Sequence, residues 1–88
     1  MDRKTVLGKR LKLARRNARM SQVFVAEALH VTRQSIYSWE SGNSCPTAVQ
    51  LGELSALYCT CAHALLFGES YTEFRVQDLV VRQRPLRH

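Results

Sequence analysis

Along the first three-quarters of the chain, apolar residues return at intervals of three and four. Val6, Leu7, Leu11, Ala14 and Ala18 form the first such series, with basic residues set between them. That spacing predicts a helix near 5–18 with a basic outer face. Ser21 precedes Val23, Val25, Ala26 and Leu29, a short second helix with Ser21 as its N-cap. Thr32 caps a third helix, in which Ile36 and Trp39 point inward and Arg33, Gln34, Tyr37 and Ser38 point elsewhere. Gly42 ends it, because glycine accepts the positive φ that helix ends often need.

The stretch Gly42-Asn43-Ser44-Cys45-Pro46 has the composition of a loop. Thr47 and Gln50 stand at capping-box spacing before a fourth helix, which carries Leu51, Leu54, Leu57 and Tyr58 on one stripe. A short fifth helix is expected over 61–67, closed by Gly68. The fold class is therefore all-α, with five helices in one domain over residues 1–68. Residues 69–88 form a separate C-terminal extension. There Phe74 and Val76 alternate with Arg75 and Gln77, the period of a strand. Leu79, Val80 and Val81 break the alternation, and Pro85 with the basic end suggests a frayed tail. A lone strand leaves its backbone unpaired. Two readings of the extension stay open: a strand that pairs with its copy in a second subunit, or a loosely packed tail.

Charge adds to this picture through its distribution. The chain of 88 residues has a formal net charge of +6. Residues 1–19 hold eight basic side chains against Asp2 alone, whereas residues 43–70 hold no Lys or Arg. The extension is basic again, with Arg75, Arg82, Arg84 and Arg87 against Glu73 and Asp78. A basic balance favours a polyanionic partner through counterion release. By itself it fits DNA, RNA or an anionic membrane surface equally well. No run approaches the roughly 18 apolar residues of a membrane span. The charged N-terminus lacks the apolar stretch of a signal peptide. The expectation is a cytoplasmic protein without membrane insertion.

Candidate chemistry is sparse. Cys45, Cys59 and Cys61 are odd in number, which argues against a disulfide framework. Cys59-x-Cys61-x-His63 lacks the spacing of the common zinc patterns and has no second ligand pair. The cysteines are expected to be small buried or half-buried side chains, with no metal and no cofactor. A Gly-rich phosphate loop is missing, as is a nucleophile with a spaced His and acid, so catalysis is not expected.

What remains is the pattern over 22–41. Val25, Ala26, Leu29, Val31, Ile36 and Trp39 are the buried positions of two short helices joined by a tight turn. Ala26 stands where the helices approach most closely, and Val31 fills the turn. Arg33, Gln34, Tyr37 and Ser38 are left facing outward on the third helix. Arg offers two donors to guanine O6 and N7, and Gln can bond adenine bidentately.

Here the sequence resembles the phage repressor and Cro group, the XRE family of helix-turn-helix proteins. The matching stretches are Leu7-Gly8-x-Arg10-Leu11-Lys12, Arg15-Arg16, Ser21-Gln22, Val25-Ala26, Val31-Thr32-Arg33-Gln34-Ser35-Ile36, Trp39-Glu40-Ser41-Gly42, Pro46-Thr47 and Leu51-x-x-Leu54. The likeness covers residues 6–67. It implies a compact five-helix repressor-like domain with its third helix in the major groove of double-stranded DNA. On that likeness Arg33 and Gln34 read bases, with Ser38 and Tyr37 reaching deeper along the groove. Gln22, Thr32, Ser35, Ser41 and Asn43 fall in the phosphate-binding roles, with Ser44 a further candidate. Arg15 and Glu40 match the family's interior ion pair and are not DNA ligands. Arg3, Lys4, Lys9 and Arg10 are read as a solvated face that adds non-specific attraction.

The chain departs from the family pattern where Arg19, His30 and Cys59 replace glycine at helix ends. Each either adopts a left-handed conformation at roughly 1–3 kcal/mol or reshapes its turn. Phe24 replaces an acidic residue and is expected against the first helix or a partner. The functional expectation is a repressor-type transcription regulator, acting as a homodimer on a palindromic operator. A second reading keeps the same module as an antitoxin-type protein that grips a protein partner through residues 69–88. A third is a general binder of RNA or membrane through the basic first helix, without sequence preference.

Overall fold

The computed structural model describes residues 2–68, and all five helices fall within them. The extension, and with it the strand-or-tail question, lies outside the described residues. Helix α1 runs Arg3–Asn17, α2 Gln22–Leu29, α3 Arg33–Ser41, α4 Ala48–Tyr58 and α5 Ala62–Phe67. Among the described residues the fold is all-helical, as the periodicity implies.

Each start is capped. Ser21, Thr32 and Thr47 cap α2, α3 and α4, and Thr47 with Gln50 completes a capping box. Cys61 caps α5, its Sγ accepting from the Ala64 N–H at 3.3 Å. The first helix begins earlier than its apolar series predicts. Asp2 caps it by accepting from the Thr5 N–H at 2.7 Å, and that bond holds the Asp2 carboxyl below its ordinary range. Apolar spacing cannot reveal this start, because the first inward-facing residue comes a turn later.

The ends share one device. Arg19, His30 and Cys59 have φ of 61°, 58° and 54°, the left-handed region that L residues rarely occupy. The turns have kept the glycine geometry rather than been reshaped. In each, two amides fold back onto the last carbonyls of the helix: Met20 to Arg15 and Arg19 to Arg16, Val31 to Ala26 and His30 to Glu27, Thr60 to Ser55 and Cys59 to Ala56. This is the Schellman arrangement, and it satisfies carbonyls that would otherwise be unpaired. Met20 and Val31, which follow Arg19 and His30, pack against the core. That burial offsets the backbone strain.

The core is built from Leu7, Leu11, Val25, Ala26, Leu29, Ile36, Trp39, Leu54, Tyr58 and Leu65, with at least one residue from every helix. Helices α1 and α3 make the most extensive contact, followed by α2 and α3. Gly8 explains the first. A Cβ there would sit 2.6 Å from both the Trp39 and Glu40 carbonyl oxygens, so only glycine lets α1 lie this close to α3. Gly42, at φ 84°, similarly abuts Thr5.

Two expectations need correction. Arg10 is not part of a solvated face: its guanidinium donates to the Leu66 carbonyl at 2.8 Å and, more weakly, to Leu65 at 3.4 Å, closing the end of α5. All three cysteines are exposed rather than buried or half-buried. Cys59 is turned outward by its left-handed turn, and Cys61 serves as a cap. Phe24, expected against the first helix or a partner, is not covered by the first helix. It remains half exposed beside the α1–α2 turn, flanking a depression with Ala18, Arg19, Met20 and Ser21.

Candidate nucleic-acid interface

Two short helices meeting across a tight turn produce the exposed feature of greatest interest. Val25, Ala26 and Leu29 bury the inner face of α2, and Ile36 and Trp39 that of α3. Ile36 is 1% exposed and Trp39 6%, so α3 is held by its middle and its end. Its leading end is covered by none of the described residues. Arg33 and Gln34 are exposed, and Tyr37, one turn on, is 54% exposed. The three side chains lie on the face opposite the two anchors.

The electrostatics of this end are unbalanced. Neither α2 nor α3 has an acidic residue in its first turn, so the partial positive charge of each helix N-terminus is uncompensated. Arg33 adds a full positive charge to that of α3. For the isolated helix this is unfavourable by a few tenths of a kcal/mol to about 1 kcal/mol. The same arrangement favours an approaching anion.

The polar residues around α3 are partly engaged with one another. Thr32 Oγ1 accepts from the Ser35 N–H at 3.1 Å and lies 3.0 Å from Ser35 Oγ. Both hydroxyls therefore contribute to the helix cap. Ser38 is half-buried, with its Oγ 2.7 Å from Ser44 Oγ, which ties α3 to the following loop. Ser41 Oγ donates to the Ser38 carbonyl at 3.2 Å. Asn43 is exposed, its backbone N–H bonded to the Ser38 carbonyl at 3.0 Å.

Behind this surface lies a charged network. Arg15 donates to Glu40 through Nε at 2.7 Å to Oε2 and Nη2 at 3.1 Å to Oε1, a two-pronged pair with side chains 11% and 4% exposed. The third nitrogen, Nη1, donates to the Met20 carbonyl at 2.8 Å. Gln22 joins from the first turn of α2, its Nε2 donating to Glu40 Oε1 at 3.1 Å. The bond to Glu40 raises the Arg15 guanidinium above its ordinary range, against the opposing effect of burial. Tyr58 is close enough to feel both charges. Burial first, and the Glu40 carboxylate second, push its phenol up to about 12.

The family resemblance already pairs Arg15 with Glu40, and the structure adds Gln22 to that pair. Apolar periodicity cannot show that link, because 18 residues and the α2–α3 turn separate Gln22 from Glu40. Nor does it show the Arg10 cap, whose partners lie 55 and 56 residues away. Among the described residues, no group of three or more His, Cys, Asp or Glu could hold a metal ion, and no helix is long and apolar enough to cross a membrane.

Comparison with known proteins adds two findings. The family model described as Helix-turn-helix matches residues 11–58, more than half of the chain. The HTH-type transcriptional regulator DicA of Escherichia coli (strain K12) is 33% identical over 63 residues, covering 72% of this chain and 47% of DicA. The chain thus spans about half the length of that curated relative. No solved structure matches it.

Proposed function

Because the chain belongs to the XRE-type helix-turn-helix family, we propose that it is a sequence-specific double-stranded DNA-binding transcriptional regulator, a repressor that acts as a homodimer on an approximately palindromic operator. The observation that carries this reading is the leading end of α3: Arg33, Gln34 and Tyr37 exposed on a helix whose Ile36 and Trp39 are buried. A helix anchored in this way projects side chains that a major groove can accept. Arg33 and Gln34 read base edges, with Tyr37 further along the groove. Ser38 reaches a base by exchanging Ser44 for it. Gln22, Thr32, Ser35, Ser41 and Asn43 contact the phosphates on either side.

The uncompensated helix ends and the first-turn Arg33 support an anionic partner in the same place. Two copies related by a two-fold axis would present their third helices about 34 Å apart, one turn of DNA. Affinity then falls steeply with salt, as neutralised phosphates regain their counterions.

Selection of bound sequences from random duplex DNA tests the whole reading. The expected result is an enriched motif with two inverted half-sites whose centres lie about one helical turn apart. A single enriched half-site would remove the dimer and keep the DNA reader. Binding with no enriched sequence would overturn the assignment of Arg33 and Gln34.

A further inference from the structure

We propose that Glu40, held by Arg15, is a positioning residue for DNA backbone contact: it fixes the Gln22 amide at the surface of the module. The inference rests on the phosphate-contacting role just given to Gln22, and adds the group that orients it.

One oxygen of Glu40 serves two donors. Glu40 Oε1 accepts from Arg15 Nη2 and from Gln22 Nε2, both at 3.1 Å, while Oε2 takes Arg15 Nε at 2.7 Å. A carboxylate only accepts, so the Gln22 amide must turn its nitrogen towards Glu40. One of its two N–H groups is used there, and the other is left for an acceptor outside. A half-buried Gln22 tethered in this way has lost most of its rotamer freedom before any ligand arrives.

Arg15 makes the arrangement electrostatically workable. A lone buried carboxylate behind Gln22 would repel an approaching phosphate. Paired in two prongs with a guanidinium, it presents little net charge while still accepting the amide proton. Arg15 also grips the Met20 carbonyl at 2.8 Å, in the turn just before the Ser21 cap. The end of α3, the end of α1 and the beginning of α2 are therefore fixed by three side chains. Base-reading helix and phosphate-contacting helix cannot shift independently while the network is intact.

A cycle of variants tests this on random-sequence duplex DNA, which reports backbone contacts alone. Gln22→Ala is expected to weaken binding about tenfold. The paired replacement Arg15→Met with Glu40→Met removes the network without leaving a lone buried charge, a change that commonly preserves folding. It is expected to weaken binding by a similar factor, and adding Gln22→Ala to it should cost little more. A role confined to stability would move the melting temperature and leave this non-additivity absent. If Gln22→Ala leaves binding unchanged, the phosphate role and the inference both fall, while the base-reading role of α3 stands or falls on sequence selection. If Gln22→Ala weakens binding but the paired replacement does not, or if the two losses multiply, the positioning role alone is overturned. Should the replaced protein not fold, 15N relaxation of the Gln22 side-chain amide in the unaltered protein decides: backbone-like rigidity supports the proposal, and the fast motion of an ordinary surface glutamine overturns it.

Discussion

The seam between α1 and α3 and the leading end of α3 are built on opposite principles, although they share a helix. At the seam, Gly8 lets two backbones touch and Arg15, Glu40 and Gln22 satisfy one another, so nearly every polar group has a partner within the protein. At the leading end, Arg33 and Gln34 are exposed and the helix terminus is left electrostatically uncompensated. One region puts its interactions into holding α3 still. The other leaves its interactions unspent in the folded protein. A surface meant for recognition is better served by the second arrangement only if the first makes it rigid, since every degree of freedom lost on binding weakens the complex.

If that division holds, changes at the seam should move stability and changes at the leading end should move binding. Arg15→Ala is the most severe break. It leaves Glu40 buried without its cation and should destabilise the domain by about 3–5 kcal/mol, read as a large drop in the midpoint of urea unfolding. Gly8→Ala comes next. The added methyl meets backbone carbonyls that no rotamer change can move, so about 1–3 kcal/mol of overpacking outweighs the gain of at most about 1 kcal/mol in helix propensity. Gly52→Ala sharpens the contrast, because nothing lies within 4 Å of a Cβ there. That change should stabilise by up to about 1 kcal/mol. The same sign for both glycine variants in thermal melts would refute the close-approach account.

At the other region, Arg33→Ala should leave unfolding within about 0.5 kcal/mol of the parent. It should remove roughly 1–3 kcal/mol of discrimination between a selected site and random duplex, measured by fluorescence anisotropy. A comparable loss on both DNAs would make Arg33 a backbone contact instead. An effect confined to alkaline pH belongs to Tyr58, behind the seam. Its phenol ionises near 10 when unfolded and near 12 when folded, so above pH 10 the unfolded chain binds fewer protons. Stability from this group is complete below pH 10 and is lost as pH rises through 12. Tyr58→Phe should flatten that part of the alkaline unfolding profile, and an unchanged profile would mean the phenol is not buried in the folded state.

Much of the helical scaffold is legible in the residues themselves. Ser21, Thr32 and Thr47 cap helices because each needs only an amide three residues away, and the apolar spacing of Ile36 and Trp39 already separates the anchored face of α3 from Arg33 and Gln34. These are short-range relations, and order along the chain encodes them directly. The left-handed turns are half legible: glycine-like positions can be recognised, but Arg19, His30 and Cys59 leave two conformations open until Met20 and Val31 are seen packed against the core.

Side-chain partnerships between distant segments are another matter. Arg10 reads as one more basic residue on a solvated face and turns out to close α5; Gln22 reads as a phosphate contact and turns out also to share a Glu40 oxygen with Arg15. The sequence by itself determined which segments coil, where α2, α3 and α4 begin and which face each buries, because helix caps and apolar period act within one or two turns. Only the tertiary structure decided what Arg10 and Gln22 bond to, since a hydrogen bond needs about 3 Å between groups whose separation along the chain says nothing of their distance in space.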